Sequence, residues 1–358
     1  MNQFQIFDGH NDLLARLYLA GGVKAVKTFI AGRPNGHLDA QKAKAGGFAG
    51  GFFAIWVPNS QRGGQPAGKS NDPNEAMNTP RYDLPLPNEV PQSEALHAAL
   101  IQIQTLQALN DQRALTICTS AAALADTMAE GKIAALMHME GAEAIDPDFA
   151  VLDQLYEKGL RSLGPVWSRP TRYGHGVPFR FPGSPDIGPG LTDDGKRLIK
   201  RCNALKVLVD LSHLNEAGFW DVATLTDAPL VATHSNAHAL CPHARNLTDK
   251  QLDAIAESGG VVGVNFAAAF LRDDGRMTSD TPLSAILAQL DYLMSRMGED
   301  HVALGSDFDG AVVPADIGDV SGLPALTQAM QAHGYGSALI EKICTGNWLS
   351  VLRRTLGN

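Results

Sequence analysis

The sequence predicts an α/β protein with the architecture of a (β/α)8 barrel of the TIM type, and three observations support this prediction. Eight short apolar runs alternate with amphipathic segments along the 358 residues. The runs are continuously apolar, which is typical of parallel strands that helices cover on both faces. No Gly-x-Gly-x-x-Gly follows the first run, which disfavours an open dinucleotide-binding sheet. Eight such units favour a closed barrel.

The predicted strands and the clearest helices can be located directly in the chain. The strands are QIFDG, GFFAIWV, IAALMHM, LRSLGPVW, VLVDLSH, PLVATHS, VVGVNF and HVALGSD. The helices are SEALHAALIQIQTLQAL, DFAVLDQLYEKG, TDDGKRLIKRCNAL, TDKQLDAIAESG and PLSAILAQLDYLMSRMG. Their apolar residues recur every three or four positions, as expected for helices that bury one face.

Two stretches interrupt the alternation of strands and helices. Residues 58–92, after the second strand, are rich in proline, glycine and asparagine, and residues 168–190 follow the fourth strand. Both are predicted to be long loops on the C-terminal face, where barrel enzymes assemble their sites. Because the chain on either side belongs to the same barrel, residues 1–358 are expected to form one domain with these two insertions.

Composition excludes several classes of protein. The net charge of −9 argues against a nucleic-acid partner, and no stretch approaches the ~20 apolar residues that span a bilayer. The N-terminus lacks the charged and apolar regions of a signal peptide. The four cysteines, Cys118, Cys202, Cys241 and Cys344, stand singly, which favours reduced thiols and a cytoplasmic location.

Ionisable residues stand at the C-terminal ends of five predicted strands. Because these ends meet at one mouth of a barrel, three imidazoles and several carboxylates are expected to face one another. They are His10, Asp12, Glu140, His213, His234, Asp307 and Asp309. Burying such groups together is costly unless something pairs with them. A divalent metal meets this need, and imidazole with carboxylate suits zinc or a related ion.

Residues two apart on a strand point to the same side, so His10 and Asp12 can bind one ion together. His138 shares a strand face with Glu140, and geometry alone would allow it as a ligand.

Five segments in order resemble the membrane (renal-type) dipeptidase family of zinc metallopeptidases, peptidase family M19. They are FDGHND, MEGAEAI, VDLSH, ATHSNAHALCPHARNLTD and GSDFDG, and the resemblance extends from residue 6 to about residue 354 through GNWLSVLRR. It implies a barrel of the metallo-dependent hydrolase type. It also implies a dipeptide as the substrate, and it allows a D-configured C-terminal residue.

The resemblance implies a binuclear centre of two Zn²⁺ ions. His10 and Asp12 would bind the first ion and His213 and His234 the second, while Glu140 and a hydroxide bridge the two. Related amidohydrolase barrels commonly carry a carboxylated lysine at the bridging position. The family has no metal-binding histidine at the position of His138, which is expected to support the ligands. His238 and His243 are expected to be loop residues or to support the ligands as well.

The resemblance also implies roles at the two ends of a dipeptide. Asp307 would transfer the proton to the leaving amine and orient the free amine of the substrate. Arg245, in CPHARN, would bind the C-terminal carboxylate through its planar guanidinium. Trp167 stands where the family often has a histidine that polarises the scissile carbonyl. This polarisation is therefore expected to come from zinc alone, or from His175 or Arg169 in the following loop facing the substrate.

Two alternatives stay open at this point. One is another binuclear metallohydrolase of the amidohydrolase type, such as an amidase, lactonase or deaminase. The other is a non-catalytic binding protein on a decayed barrel. The resemblance further implies a microbial enzyme without a lipid anchor and allows a homodimer.

Overall fold

The computed structural model describes residues 3–33, 35–59 and 73–357, and in this part of the chain eight parallel strands form the predicted barrel. They are β1 (Ile6–Asn11), β2 (Phe48–Trp56), β3 (Ala134–Glu140), β4 (Leu160–Gly164), β5 (Leu208–Val209), β6 (Val231–Ala232), β7 (Val261–Asn265) and β8 (Val302–Gly305). Ladders join β1 to β5 in chain order and β6 to β8 in chain order. The parallel bridges Asp210–Val231 and Asn11–Phe308 connect the two groups at both edges, so the sheet closes.

The observed β5 and β6 have two residues each, although the predicted strands there are much longer. The reason is the carboxylate of Asp210. It accepts hydrogen bonds from the backbone N–H groups of Ser212, at 3.0 Å, and Thr233, at 2.9 Å. These N–H groups therefore bind a side chain instead of a neighbouring strand, and both segments turn into the loops that carry His213 and His234.

Fifteen α-helices surround the barrel in the described residues. They are α1 (Leu13–Leu19), α2 (Val26–Ala31), α3 (Ala40–Gly46), α4 (Pro73–Ala76), α5 (Gln92–Asp111), α6 (Ala121–Ala129), α7 (Ala150–Glu157), α8 (Asp193–Leu205), α9 (Glu216–Leu225), α10 (Asp249–Glu257), α11 (Ala268–Leu271), α12 (Leu283–Met297), α13 (Leu323–Ala332), α14 (Ser337–Glu341) and α15 (Asn347–Leu356). The five predicted helices correspond to α5, α7, α8, α10 and α12. Side-chain caps fix where several begin: Thr192 caps α8, Asn215 caps α9, and Thr248 caps α10. No helix of the described residues is both long enough and apolar enough to cross a membrane.

Trp348 of α15 fills the lower part of the barrel. It is fully buried, its ring centroid lies 5.0 Å from that of Phe52, and its indole N–H donates to the carbonyl of Leu304 at 2.9 Å. A Cβ at Gly9 or Gly263 would collide with this indole and with the carbonyl of Thr233. Glycine is therefore required at both positions, and the C-terminal helix fixes β1 one residue before His10.

The two long loops meet over the barrel mouth. The strand Tyr82–Asp83 pairs antiparallel with Arg180–Phe181, and the hydroxyl of Tyr82 donates to the carbonyl of Gly275 at 2.6 Å. Residues 60–72 of the first loop lie outside the described residues. The pairing places residues of both loops beside the ends of the barrel strands.

Candidate metal centre

The Glu140 carboxylate lies at the centre of the residues predicted as metal ligands. Its Oε1 is 3.0 Å from Nε2 of His213, 3.4 Å from Nε2 of His234 and 3.7 Å from Nε2 of His10. Asp12 Oδ2 lies 3.4 Å from the same His10 nitrogen. All five side chains are buried. The fold thus brings together five residues that come from four separate parts of the chain.

The strand ends determine where these side chains stand. His10 is in β1, Asp12 follows it, and Glu140 is the last residue of β3. His213 has a φ of 67° and Asp307 a φ of 62°, in the left-handed region. Residues with a side chain rarely adopt this region, and such strain is concentrated at functional sites.

His10 provides the best test of whether a metal fits this cluster. Neither of its ring nitrogens has a hydrogen-bond partner among the described residues, although the ring is fully buried. The ring stacks on that of His234, with 3.8 Å between centroids. Buried polar atoms are almost always paired. A cation bound at Nε2 would supply the partner that this nitrogen lacks, so the residues present fit a metal.

The electrostatics of the cluster point the same way. Burial lowers the pKa of His10, but the charges of Glu140, Asp12 and Asp307 outweigh it and raise that pKa to about 10. Burial raises the pKa of Glu140 well above its usual value. Both raised pKa values mean that His10 and Glu140 bind protons more tightly than usual in this cluster of negative charge. A divalent cation would compensate the same charge and displace those protons.

Hydroxyl groups hold the rings of the two remaining histidines. The Ser168 hydroxyl is 2.8 Å from Nδ1 of His213, and the Thr233 hydroxyl is 2.8 Å from Nδ1 of His234. Thr233 in turn donates to Asp210 at 2.7 Å. Burial lowers the pKa of both histidines, so the rings are neutral. Such contacts orient metal ligands and fix their tautomers. Nothing in the sequence indicated that Ser168 and Asp210 support the two histidines. For Thr233 the one available signal was its position directly before His234 in ATHS.

The three histidines set aside as ligands have other contacts. His138 Nδ1 lies 2.9 Å from the hydroxyl of Ser162, and its ring packs edge-on against His10. His238 Nε2 donates to the carbonyl of Gly183 at 2.7 Å. His243 Nδ1 accepts from the backbone N–H of Arg245 at 2.9 Å.

Asp307 borders the same cluster. Its carboxylate and ligand atoms of His10 and Asp12 lie within 4.8 Å of one another. Asn265 donates to its Oδ2 at 2.9 Å, and burial raises its pKa. The side chain is therefore held in a fixed position beside the ligands, where it can accept or release a proton.

A cavity of about 300 Å³ opens above the candidate metal centre. Asp12, Glu140, His213 and Asp307 lie at its base. One wall is aromatic and consists of Trp56, Trp167, Phe179 and Phe270. The Trp167 ring lies 5.9 Å from that of His213, so an indole stands beside one of the proposed ligands.

Arg169 lies behind this wall and is fully buried. Its guanidinium donates to Glu143 at 2.5 Å, to Asn59 at 2.8 Å and to the carbonyl of Val57. It also lies 5.1 Å from the centroid of Trp167. These contacts correct the expectation that Arg169 faces the substrate: its donors are bound to protein, and it links three loops.

The other two predicted substrate residues do not line the cavity. The side chain of His175 is half-buried in the short strand Gly174–His175. Arg245 is buried behind Phe270, and it donates to Ser235 at 2.8 Å and to the carbonyl of His234 at 2.9 Å. Its Nε has no partner among the described residues.

Comparison with known proteins identifies the family. The model of the membrane dipeptidase family, peptidase family M19, matches residues 1–357. The chain belongs to this family. This M19 protein is a metallodipeptidase, a hydrolase that acts on dipeptides. Membership confirms the resemblance that the five sequence motifs indicated, and it favours a dipeptidase over the other metallohydrolases and over a non-catalytic barrel.

Solved structures agree with this assignment over the whole chain. A metallopeptidase from Rhodobacter sphaeroides, with a phosphinate mimic of the dipeptide L-Ala-D-Ala, is 51% identical, covers 99% of this chain and 100% of its own, and has a TM-score of 0.94. The M19 metallopeptidase "dipeptidase AC" is 50% identical over 100% of both chains, with a TM-score of 0.93.

Among protein sequences, a Klebsiella pneumoniae protein described as "Uncharacterized protein in pqqA 5'region" is 54% identical over 67% of this chain and 88% of its own.

Proposed function

We propose that this M19 metallodipeptidase works with two zinc ions. His10 and Asp12 would hold one ion and His213 and His234 the other, with Glu140 between them. The convergence of three Nε2 atoms on Oε1 of Glu140, between 3.0 and 3.7 Å away, carries this proposal. No thiolate lies in the cluster, and imidazole with carboxylate suits zinc.

The remaining steps follow from the chain's own residues. When bound, zinc lowers the pKa of water and polarises a carbonyl oxygen. Asp307, buried beside the ligands and held by Asn265, would take the proton of the water that attacks the carbonyl carbon and deliver it to the amine that leaves as the C–N bond breaks. The same carboxylate accepts a hydrogen bond from the free amine of the dipeptide, which fixes the first residue at this end of the cavity.

The other end of the substrate carries a carboxylate. We assign its attraction to Arg245, whose positive charge is buried behind Phe270 and whose Nε is unpaired among the described residues. An acceptor for the amine and a cation for the carboxylate together select dipeptides over longer peptides. The dipeptide mimic in the Rhodobacter sphaeroides relative has a D-configured second residue, which supports activity on L,D-dipeptides here.

Trp167 gives the substrate an apolar surface in place of an imidazole. An indole has no titratable nitrogen, so at this position it contributes packing against the side chain of the substrate. A substrate-facing role for His175 stays a prediction. We further propose a cytoplasmic, single-domain enzyme that can pair as a homodimer; its four cysteines are buried and unpaired, as is usual in reducing compartments.

A dipeptide library tests this function. The metal-free protein is reloaded with zinc, its metal content is measured, and L,L- and L,D-dipeptides are assayed beside N-acetylated and C-amidated analogues. We expect two zinc ions per chain, cleavage of free dipeptides and little turnover of blocked ones. The Glu140→Ala variant should lose both metal and activity. A single zinc ion in the active protein would contradict the binuclear centre, and equal cleavage of blocked analogues would contradict the recognition of both termini.

A further inference from the structure

Arg16 brings a positive charge to the opening of the cavity. It is the one arginine or lysine among the described residues that line the cavity, and it is exposed on α1. Its Nε donates to the backbone carbonyl of Asp309 at 2.6 Å. Neither of its terminal amino groups binds a described residue. One edge of the guanidinium is therefore anchored, while the other edge has no partner among the described residues.

The nearby carboxylate of Asp309 does not neutralise this charge. Its Oδ2 lies 2.7 Å from Nη1 of Arg33, and its Oδ1 accepts the backbone N–H of His37 at 2.8 Å. Asp309 thus has its own cationic partner. Its backbone carbonyl, not its side chain, holds Arg16.

The segment that holds Arg16 also contacts the proposed amine site. Gly310 follows Asp309, and a Cβ at Gly310 would collide with the carboxylates of both Asp12 and Asp307. Arg16 therefore lies at the same end of the cavity as Asp307. In the proposed function, from which this step follows, Asp307 binds the free amine of the dipeptide.

We propose that Arg16 selects dipeptides whose first residue has a carboxylate side chain, aspartate or glutamate. The amine and the side chain of that residue leave from one Cα atom, so a substrate with its amine on Asp307 directs its side chain to this end of the cavity. A guanidinium with a free edge binds a carboxylate through two parallel hydrogen bonds. The proposed substrates are therefore dipeptides whose first residue is aspartate or glutamate.

Matched substrates isolate the charge from the shape of the side chain. For the zinc-loaded wild type, kcat/KM for Glu-Ala should exceed that for Gln-Ala about 5- to 20-fold, as expected for a charge-assisted pair that water partly screens. The ratio should fall to about one in Arg16→Gln. In Arg16→Glu it should fall below one, with Lys-Ala becoming the better substrate. Added salt should reduce the wild-type preference.

Arg353→Gln is the matched control, because Arg353 is exposed on α15 and the substitution removes the same charge. This variant should keep the wild-type ratio. No Glu-over-Gln preference in a wild type that cleaves Ala-Ala would overturn the inference and leave the proposed function intact. An equal loss of kcat/KM on every dipeptide in Arg16→Gln would show that Arg16 binds the main-chain carboxylate. A preference for Ala-Glu over Glu-Ala would show that the enzyme recognises an acidic second residue instead of an acidic first one. Either result would reject the proposal.

Discussion

The Nε2 atoms of His213 and His234 lie 3.1 Å apart and face each other. Their opposite ring nitrogens are held by hydroxyl groups, so the rings cannot turn away without losing a hydrogen bond. Two neutral imidazoles so arranged direct their remaining nitrogens at one point, which is the geometry that a shared cation requires.

Loss of either hydroxyl should weaken metal binding. In Ser168→Ala or Thr233→Val the affinity for zinc should fall roughly 10- to 100-fold, because a freely rotating ring binds less well. Competition with a chromophoric chelator would measure this. Thr224→Val, in which an exposed hydroxyl that caps no histidine is lost, is the control. Unchanged affinity in both variants would remove the assigned role of these hydroxyls.

Asp307→Asn should separate metal binding from proton transfer. The variant should retain zinc, since Asp307 is not a proposed ligand, while kcat falls by roughly 10² to 10⁴, the usual contribution of a general acid–base group. Metal analysis and steady-state kinetics on a good dipeptide would show this, with the exposed Asp316→Asn as the control. Loss of metal from the variant would make Asp307 a ligand instead.

Gly310→Ala should damage the site although no proposed ligand is itself replaced. The new methyl group would overlap the carboxylates of Asp12 and Asp307, so both must move. We expect reduced zinc occupancy and a loss of kcat/KM, with a smaller loss in Gly336→Ala, where a Cβ meets no atom within 4 Å. A Gly310→Ala enzyme with normal zinc content and kinetics would contradict the packing described here.

His138 should make the metal-free protein sensitive to acid. Burial, with a smaller contribution from His10, lowers its pKa from 6.5 to about 4 although Asp210 opposes this. Between those pH values the unfolded chain binds a proton that the folded chain does not, so the free energy of unfolding falls as pH drops through this range. The contribution of this one residue is roughly 3 kcal/mol, present above pH 6.5 and lost near pH 4.

Urea unfolding of the metal-free protein from pH 4 to pH 7 would measure the effect. His138→Gln should flatten the pH profile, whereas substitution of the exposed His97 by glutamine should not. The pKa values of His213, His234 and His243 are lowered as well, whereas those of Asp8, His10 and Glu140 are raised and contribute the opposite slope. The test is therefore the difference between the profiles of His138→Gln and the wild type. An unchanged slope in His138→Gln would show that the buried imidazole is not responsible.

The barrel was predictable because apolar runs and helix periodicity are local signals. All eight strands occur where the runs predicted them. The shortness of β5 and β6 was not predictable, because it depends on Asp210 accepting a backbone N–H from Thr233, 23 residues further along the chain. A strand pattern in the sequence does not reveal such a competing acceptor.

The proposed ligands were predictable because a single sequence is enough to show histidines and carboxylates at the ends of predicted strands. The supporting residues were not. The Asp8 carboxylate accepts hydrogen bonds from the backbone N–H and the hydroxyl of Ser306, 298 residues away, and the guanidinium of Arg169 donates to Asn59, 110 residues away. Such pairs become visible only when the strands are placed side by side. The opposite error occurred at Arg169 itself, where a charged residue in a loop was expected to face the substrate and is instead enclosed by protein.

The closing bridge between Asn11 and Phe308 joins the first strand to the last. During synthesis, His10 and Asp12 leave the ribosome early, but the edge of β1 that Phe308 covers has no neighbour until almost the whole chain has been made. A chain that ends before Phe308 would hold all five proposed ligands, the last of which is His234, but it would leave this edge of β1 without its neighbour. Closure of the sheet thus depends on a segment that follows every proposed ligand in the chain.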